Sequence, residues 1–178
     1  MGGRAHRATK QAVPGAGGGP RPLKRIVFVC VGNMCRSQMA EGLARHMGAG
    51  ELAVESAGTR ATGEVSREAI AVMQEIGIGL EGQRSKGLSE ADLASADVIV
   101  SMAPESAALL APRGFRGVLR DWDVGDPIGL PLEAFRIVRQ DLQGRVERLV
   151  RELGVEPAPL PGAAEGEEGG PRESRTGR

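Results

Sequence analysis

Apolar and polar positions change rhythm repeatedly along this chain, and each rhythm names an element. Residues 25–31 form an almost unbroken apolar run rich in Val and Ile, which predicts a strand buried on both faces. Met39, Leu43 and Met47 then recur at helical spacing and predict a helix over 37–48. A second strand is expected at 51–56, in Glu51-Leu52-Ala53-Val54-Glu55-Ser56. Ala69, Ile70, Met73 and Ile76 mark a helix that Gly77 closes. Ser89 and Asp92 read as a capping box opening a short helix. Residues 97–102 predict a buried strand, 104–111 a short helix, and 117–121 a further strand. The last helix has the clearest pattern. Pro131 sits in its first turn, Phe135, Val138, Leu142, Val146, Leu149 and Leu153 share one face, and Gly154 ends it.

This alternation predicts an α/β fold: a three-layer sandwich with a central four-stranded parallel sheet and helices on both faces. Sites in such sheets lie at the carboxyl ends of the strands. The two ends of the chain follow no rhythm. Residues 1–22 repeat Gly and Pro with several basic residues and no acid, and residues 155–178 are rich in Pro, Gly and Glu. Neither stretch can bury enough apolar surface to offset its chain entropy. Both read as disordered tails around a single domain at 23–154.

Composition narrows the function classes. At 178 residues the chain is long enough for one well-filled core. It has no Tyr, one Trp and three Phe, so Leu, Val, Ile, Met and Ala must build that core. A formal net charge of zero gives no reason to expect a nucleic acid partner. No apolar run has the length of a membrane span, and the N-terminus lacks the apolar segment of a signal peptide. His6 stands where N-myristoylation takes Ser or Thr. The two cysteines, Cys30 and Cys35, make no disulfide framework and suit a reducing compartment, so a cytoplasmic protein is expected.

The junction of the first strand and first helix changes the picture most. Cys30-Val31-Gly32-Asn33-Met34-Cys35-Arg36-Ser37 places a cysteine at the strand's end and an arginine at the helix's start. Loop N–H groups and a helix N-terminus converge there and favour negative charge. Arg36 adds a planar fork for a phosphate-like group. The same field favours a thiolate at Cys30, to which Ser37 can donate a hydrogen bond. Gly32 allows a positive φ, and Asn33 tolerates one. A nucleophile beneath a tetrahedral oxyanion is the arrangement for covalent phosphoryl transfer. A buried cysteine alone is commonly a small hydrophobe. Gly32, Asn33, Arg36 and Ser37 around it carry the catalytic reading. Cys30, Cys35 and His46 fall short of a zinc set, because four ligands at tidy spacing are missing, and no metal or other cofactor is expected. His46 reads as an exposed helix residue, and Trp122 as packing rather than a substrate platform.

The stretch Cys30 to Ser37 resembles the phosphate-binding loop of the low-molecular-weight protein tyrosine phosphatase superfamily, which includes thiol-dependent arsenate reductases. The resemblance spans roughly residues 24–154. It implies Cys30 as nucleophile, Arg36 as phosphate-binding arginine, Asn33 as loop-shaping residue and Ser37 as the thiolate's partner. Val31, Gly32, Met34 and Cys35 complete the implied substrate-binding loop. Arg36-Ser37-Gln38-Met39-Ala40-Glu41-Gly42 is similar to the arsenate-reductase branch, since the phosphatases usually have proline where Gln38 stands. The superfamily also uses an aspartate before a proline as general acid, and Asp126-Pro127 fits. Proline biases the preceding residue towards an extended conformation. A carboxyl held that way can protonate a leaving alkoxide or phenoxide. Asp121 and Asp123 are the alternative acids. Cys35 has two readings: a reversible disulfide partner of Cys30, as the resemblance suggests, or a packed small residue.

Three positions depart from the better-known patterns. Ile128-Gly129 follow Asp126-Pro127 where the tyrosine phosphatases usually carry an aromatic that stacks on the substrate ring. The best-known arsenate reductases of this fold carry two further cysteines after the third strand, and Met102-Ala103-Pro104-Glu105-Ser106-Ala107 has none. Met34 stands where arginine phosphatases of the superfamily have threonine. Cys30, Arg36 and Asp126, read with the resemblance, imply a cysteine-dependent phosphatase acting on phosphomonoesters such as protein phosphotyrosine. Arsenate reduction with an external thiol, thioredoxin or a low-molecular-weight thiol, is the alternative. A non-catalytic oxyanion-binding module is the third reading. The expected partners are a phosphorylated protein or a small phosphate or arsenate oxyanion, with neither nucleic acid nor membrane.

Overall fold

The computed structural model describes residues 23–161. Of the stretches expected to be tails, 1–22 and 155–178, the first and residues 162–178 of the second lie outside the described residues. In chain order the elements are β1 (Lys24–Cys30), α1 (Arg36–Met47), β2 (Leu52–Gly58), α2 (Arg67–Gln74), β3 (Val98–Ser101), α3 (Ala107–Leu110), β4 (Val118–Asp121) and α4 (Leu132–Glu152). The strands pair in parallel throughout, in the order β2-β1-β3-β4. This is the expected four-stranded α/β sheet. β1 has a strand on each side, and both its faces are covered, so Ile26 to Cys30 are all buried.

Alternation along β1 splits the core in two. Ile26, Phe28 and Cys30 face a large apolar cluster with Met39 and Leu43 of α1, Val72 and Met73 of α2, and Phe135, Leu142 and Val146 of α4. Val27 and Val29 face a smaller cluster with Ile99, Leu93, Ala96 and Ala107. The sandwich is therefore lopsided. Three full helices cover one face, while a one-turn helix and irregular chain cover the other. β4 closes one edge, and it is short and mostly exposed, as edge strands usually are.

Several details differ from the sequence reading. The helix expected at 104–111 is the single turn Ala107–Leu110, bracketed by Pro104 and Pro112, and its first N–H donates to the Asp121 carboxylate (2.6 Å). Ser89 and Asp92 form no capping box. The chain makes a 3₁₀ turn at Leu88–Glu90, in which the Gly87 N–H donates to Glu90 (3.0 Å), and Asp92 instead accepts from Ser95. Pro131 stands at the cap position of α4, just before its first turn. The packed domain also runs past residue 154. Val155 is buried, Ala158 N–H donates to Met47 C=O (2.9 Å), and Leu160 packs on the core. Isolated anchors such as these carry no periodicity, so the pattern of the sequence did not show them.

Candidate active site

The loop between β1 and α1 is shaped by where its carbonyls go. Cys30, Val31 and Gly32 C=O accept from the N–H groups of Thr59 (3.0 Å), Arg60 (2.8 Å) and Thr62 (3.2 Å). The Ser85 hydroxyl also donates to Gly32 C=O (2.8 Å), Gln38 Nε2 donates to Asn33 C=O (2.9 Å), and Ser66 N–H donates to Met34 C=O (2.8 Å). The carbonyls are thus turned outward. Among the described residues, the N–H groups of Gly32, Asn33, Met34 and Cys35 donate to no protein acceptor. α1 starts on Cys35 with no side-chain cap, so its first-turn N–H groups join the same concave surface. Such a nest of N–H groups at a helix N-terminus favours an anion.

Asn33 holds the turn. It is the loop residue with positive φ (47°), and Gly32 is not, so of the two residues that could have taken this conformation only one does. Its side chain donates to Ser37 Oγ (2.9 Å) and Ser56 Oγ (2.8 Å) and accepts from Lys86 N–H (2.8 Å) and Gln38 Nε2 (3.1 Å). Ser37 Oγ lies 3.0 Å from Cys30 Sγ. The chain of bonds continues beyond Ser56, whose hydroxyl donates to the buried carboxylate of Glu41, and Glu41 pairs with Arg45 (2.6 Å). Burial pushes the Glu41 carboxyl up, against the opposing Ser56 hydrogen bond and Arg45 charge.

Cys30 forms the floor of the site and is almost fully buried. Cys35 is equally enclosed. Burial first, then the neighbouring Cys30 and Asp126, push its thiol up to about 12. Its Sγ donates to Asp126 Oδ1 at 3.8 Å.

The guanidinium fork of Arg36 already has partners within the protein. Nη1 donates to Met102 C=O (2.8 Å) and Val124 C=O (3.1 Å), and Nη2 forms an ion pair with Asp126 Oδ2. Its Nε is buried without a partner. The protein's own acceptors therefore hold the guanidinium, and an oxyanion that takes the Nε/Nη2 edge must displace Asp126. A cleft of about 560 Å³ opens beside the loop, lined by Val31, Arg36, Met102, Trp122, Asp123 and Asp126 among others. Trp122 is half-buried and tilted against Phe28 (ring centroids 5.7 Å apart), so it packs while also lining the cleft. Asp121 is occupied in capping α3.

Other candidates are not brought in. His46 is half-buried rather than exposed, and its Nε2 meets Pro159 C=O (2.9 Å), away from both cysteines. Among the described residues, no three His, Cys, Asp or Glu side chains are placed to hold a metal ion. No helix among them is long and apolar enough to cross a membrane. Sequence reasoning missed Ser56, Glu41, Ser85 and Lys86, and it used Gln38 only as a branch marker. Ser56 and Gly58 sit at the carboxyl end of β2 beside β1, where the strand-end rule could have found them. A Cβ on Gly58 would stand 2.6 Å from Val31 C=O and 2.9 Å from Asn33 Cβ, so only glycine lets β2 approach the loop.

Residues 25–158 match the family described as low molecular weight phosphotyrosine protein phosphatase. The chain belongs to that family. Within it, the chain is 39% identical over 131 residues to the glutaredoxin arsenate reductase of Synechocystis, covering 74% of this chain and 99% of the relative. It is 34% identical over 127 residues to an arsenate reductase of Staphylococcus epidermidis, covering 70% and 94%. Among solved structures, an arsenate reductase in the phosphate binding state superposes with a TM-score of 0.65 at 38% identity, over 73% of this chain and 98% of the other. The YwlE arginine phosphatase of Geobacillus stearothermophilus gives 0.66 at 30% identity, over 74% and 93%. Arsenate reductases and phosphatases alike, these relatives are enzymes, and this member of the phosphatase family is an enzyme too.

Proposed function

We propose that this chain is a cysteine-dependent phosphatase that hydrolyses phosphomonoesters through a phosphocysteine intermediate. The observation that carries the reading is the Asp126 carboxylate held on Arg36 beside the Cys30 loop. A phosphoryl group on the Nε/Nη2 edge of Arg36 displaces Asp126 and leaves its carboxyl near the leaving oxygen. Cys30 Sγ attacks phosphorus in line, so an S–P bond forms as the P–O bond breaks. Asp126 in its protonated form gives its proton to the leaving oxygen. The resulting carboxylate then takes a proton from water, whose oxygen attacks phosphorus and releases phosphate and the Cys30 thiolate. Arg36 and the N–H groups of residues 32–35 hold the equatorial oxygens through both steps.

The relatives support a second reading. Both curated relatives described above are named arsenate reductases. In that chemistry As(V) gains two electrons as Cys30 and an external thiol form a disulfide and arsenite leaves. Cys35 is a poor internal donor, because a thiol pushed up to about 12 stays protonated at neutral pH. The electrons would therefore come from outside the chain.

An aryl phosphate assay of the purified chain tests the first reading. Cys30→Ser is expected to abolish turnover while keeping phosphate or vanadate binding, and Cys35→Ser to keep substantial activity. The reverse pattern moves the nucleophile to Cys35. Arsenate turnover with an added thiol, together with no aryl phosphatase activity, replaces the first reading by the second.

A further inference from the structure

The cleft beside the loop has a charge pattern that binding of a phosphate group does not explain. Its lining includes one cation, Arg36, and three carboxylates, Asp121, Asp123 and Asp126. Asp126 is paired with Arg36, and Asp121 Oδ1 accepts from the Ala107 N–H. The exposed Asp123 carboxylate accepts no hydrogen bond among the described residues. Only its carbonyl is engaged, by Arg145 Nη2 (3.0 Å), and the Nε of that arginine goes to Asp141 (2.9 Å). Independently, the unpartnered Nε of Arg36, on a residue only 6% exposed, marks the same cleft as a place for an oxyanion.

These two observations pull in opposite directions unless the ligand carries both signs. A phosphoryl dianion on Arg36 shares the cleft with the exposed Asp123 carboxylate, and like charges repel. A positive charge on the phosphoryl carrier removes the conflict and gains a partner in Asp123. The cleft, at about 560 Å³, holds more than a phosphate group, so part of the carrier enters it. Trp122 lies between Asp121 and Asp123 in the sequence and lines the same space, and an aromatic wall adds attraction for a guanidinium. Resting on the phosphatase reading above, we infer that this cleft selects phosphopeptides with Arg or Lys next to the phosphorylated side chain, and that Asp123 is the specificity-determining residue.

Two phosphotyrosine peptides test this, identical except for Arg or Glu on both sides of the phosphorylated residue, at low and at high salt. The Arg peptide is expected to have a kcat/KM roughly tenfold higher at low salt, falling towards parity as salt screens the exposed charge. Asp123→Asn is expected to narrow the ratio between the peptides. Equal rates, a preference for the Glu peptide, or the same ratio in Asp123→Asn overturns the proposal. Calorimetric binding of both peptides to Cys30→Ser separates the two levels of the argument. If the wild type turns over no phosphate ester but Cys30→Ser binds the Arg peptide more tightly, the cleft's preference stands and the phosphatase reading fails. If Cys30→Ser binds neither peptide, or both equally, the cleft proposal fails whatever the turnover.

Discussion

At the scale of single residues, the decisive contact is between Arg36 and Asp126, which lie 90 positions apart and meet in an ion pair. The arginine is nearly enclosed, whereas Asp126 is about half-exposed, so the aspartate is the partner that can leave. This makes the proposed role of Asp126 as acid testable through the leaving group. Asp126→Asn is expected to slow phenyl phosphate hydrolysis by roughly 10²–10⁴-fold, the usual contribution of a general acid. The loss should shrink for esters whose leaving group is already acidic. A small loss, uniform across leaving groups, would move the role to Asp121 or Asp123. That Cys30 and Ser37 meet was legible because they lie seven positions apart around one loop. The engagement of Arg36 with Met102 and Val124 carbonyls was not, because it depends on how the segments after β3 and β4 pack.

At the scale of elements, the loop is held by its neighbours as much as by its own residues. β2 brings Ser56 and Gly58 against it, α1 brings Gln38 and Glu41, and the segment before the 3₁₀ turn brings Ser85 and Lys86. Glu41 offers a readout of that assembly. Burial raises its folded-state value above the ordinary 4.5. The folded protein then binds more protons than the unfolded chain between those two values. Its contribution to stability is therefore fully present below 4.5 and is lost as pH rises through the raised folded value. Glu41→Gln removes this titration. Urea unfolding of both proteins, from acid to neutral pH, should show the stability difference shifting against the wild type as pH rises. A difference that stays constant with pH would show that Glu41 titrates alike folded and unfolded. The tie between α2 and α4 has the opposite sign. Hydrogen bonds from Arg136 hold the exposed Glu75 carboxyl down at about 2, with Arg139 adding to them. That contribution is present above 4.5 and is lost as pH falls towards 2.

At the scale of the whole molecule, the placement of thiols bears on which chemistry runs. The chain has two cysteines, and both lie in one loop. Arsenate matches phosphate in shape and charge, so the loop is expected to take both. Reduction also needs a thiol that can reach the Cys30 adduct, and Cys35 is buried beside Asp126 with its thiol raised. Thioredoxin as sole donor is therefore expected to sustain no efficient arsenate turnover. Reductase activity should depend on an added small thiol, while aryl phosphatase activity should need only a reduced Cys30. Rapid multi-turnover reduction with thioredoxin alone, and negligible phosphatase activity, would reverse this order.

What the sequence determined by itself was local. An apolar β-branched run specifies a strand buried on both faces, helical spacing specifies α1 and α4, and the change between the two rhythms specifies the tight loop that carries Cys30, Arg36 and Ser37 from strand to helix. These follow from periodicity and from residues within one turn of each other, so no distant contact is needed to read them. Only the tertiary structure decided which of Gly32 and Asn33 takes the positive φ, where the Arg36 guanidinium points, and that Ser56 and Glu41 extend the line from Cys30. It also decided that the chain from Val155 to Leu160 belongs to the packed domain. Each of these depends on contacts between segments far apart in sequence. Their energies come from burial and hydrogen-bond satisfaction in a shared interior, which no local pattern records.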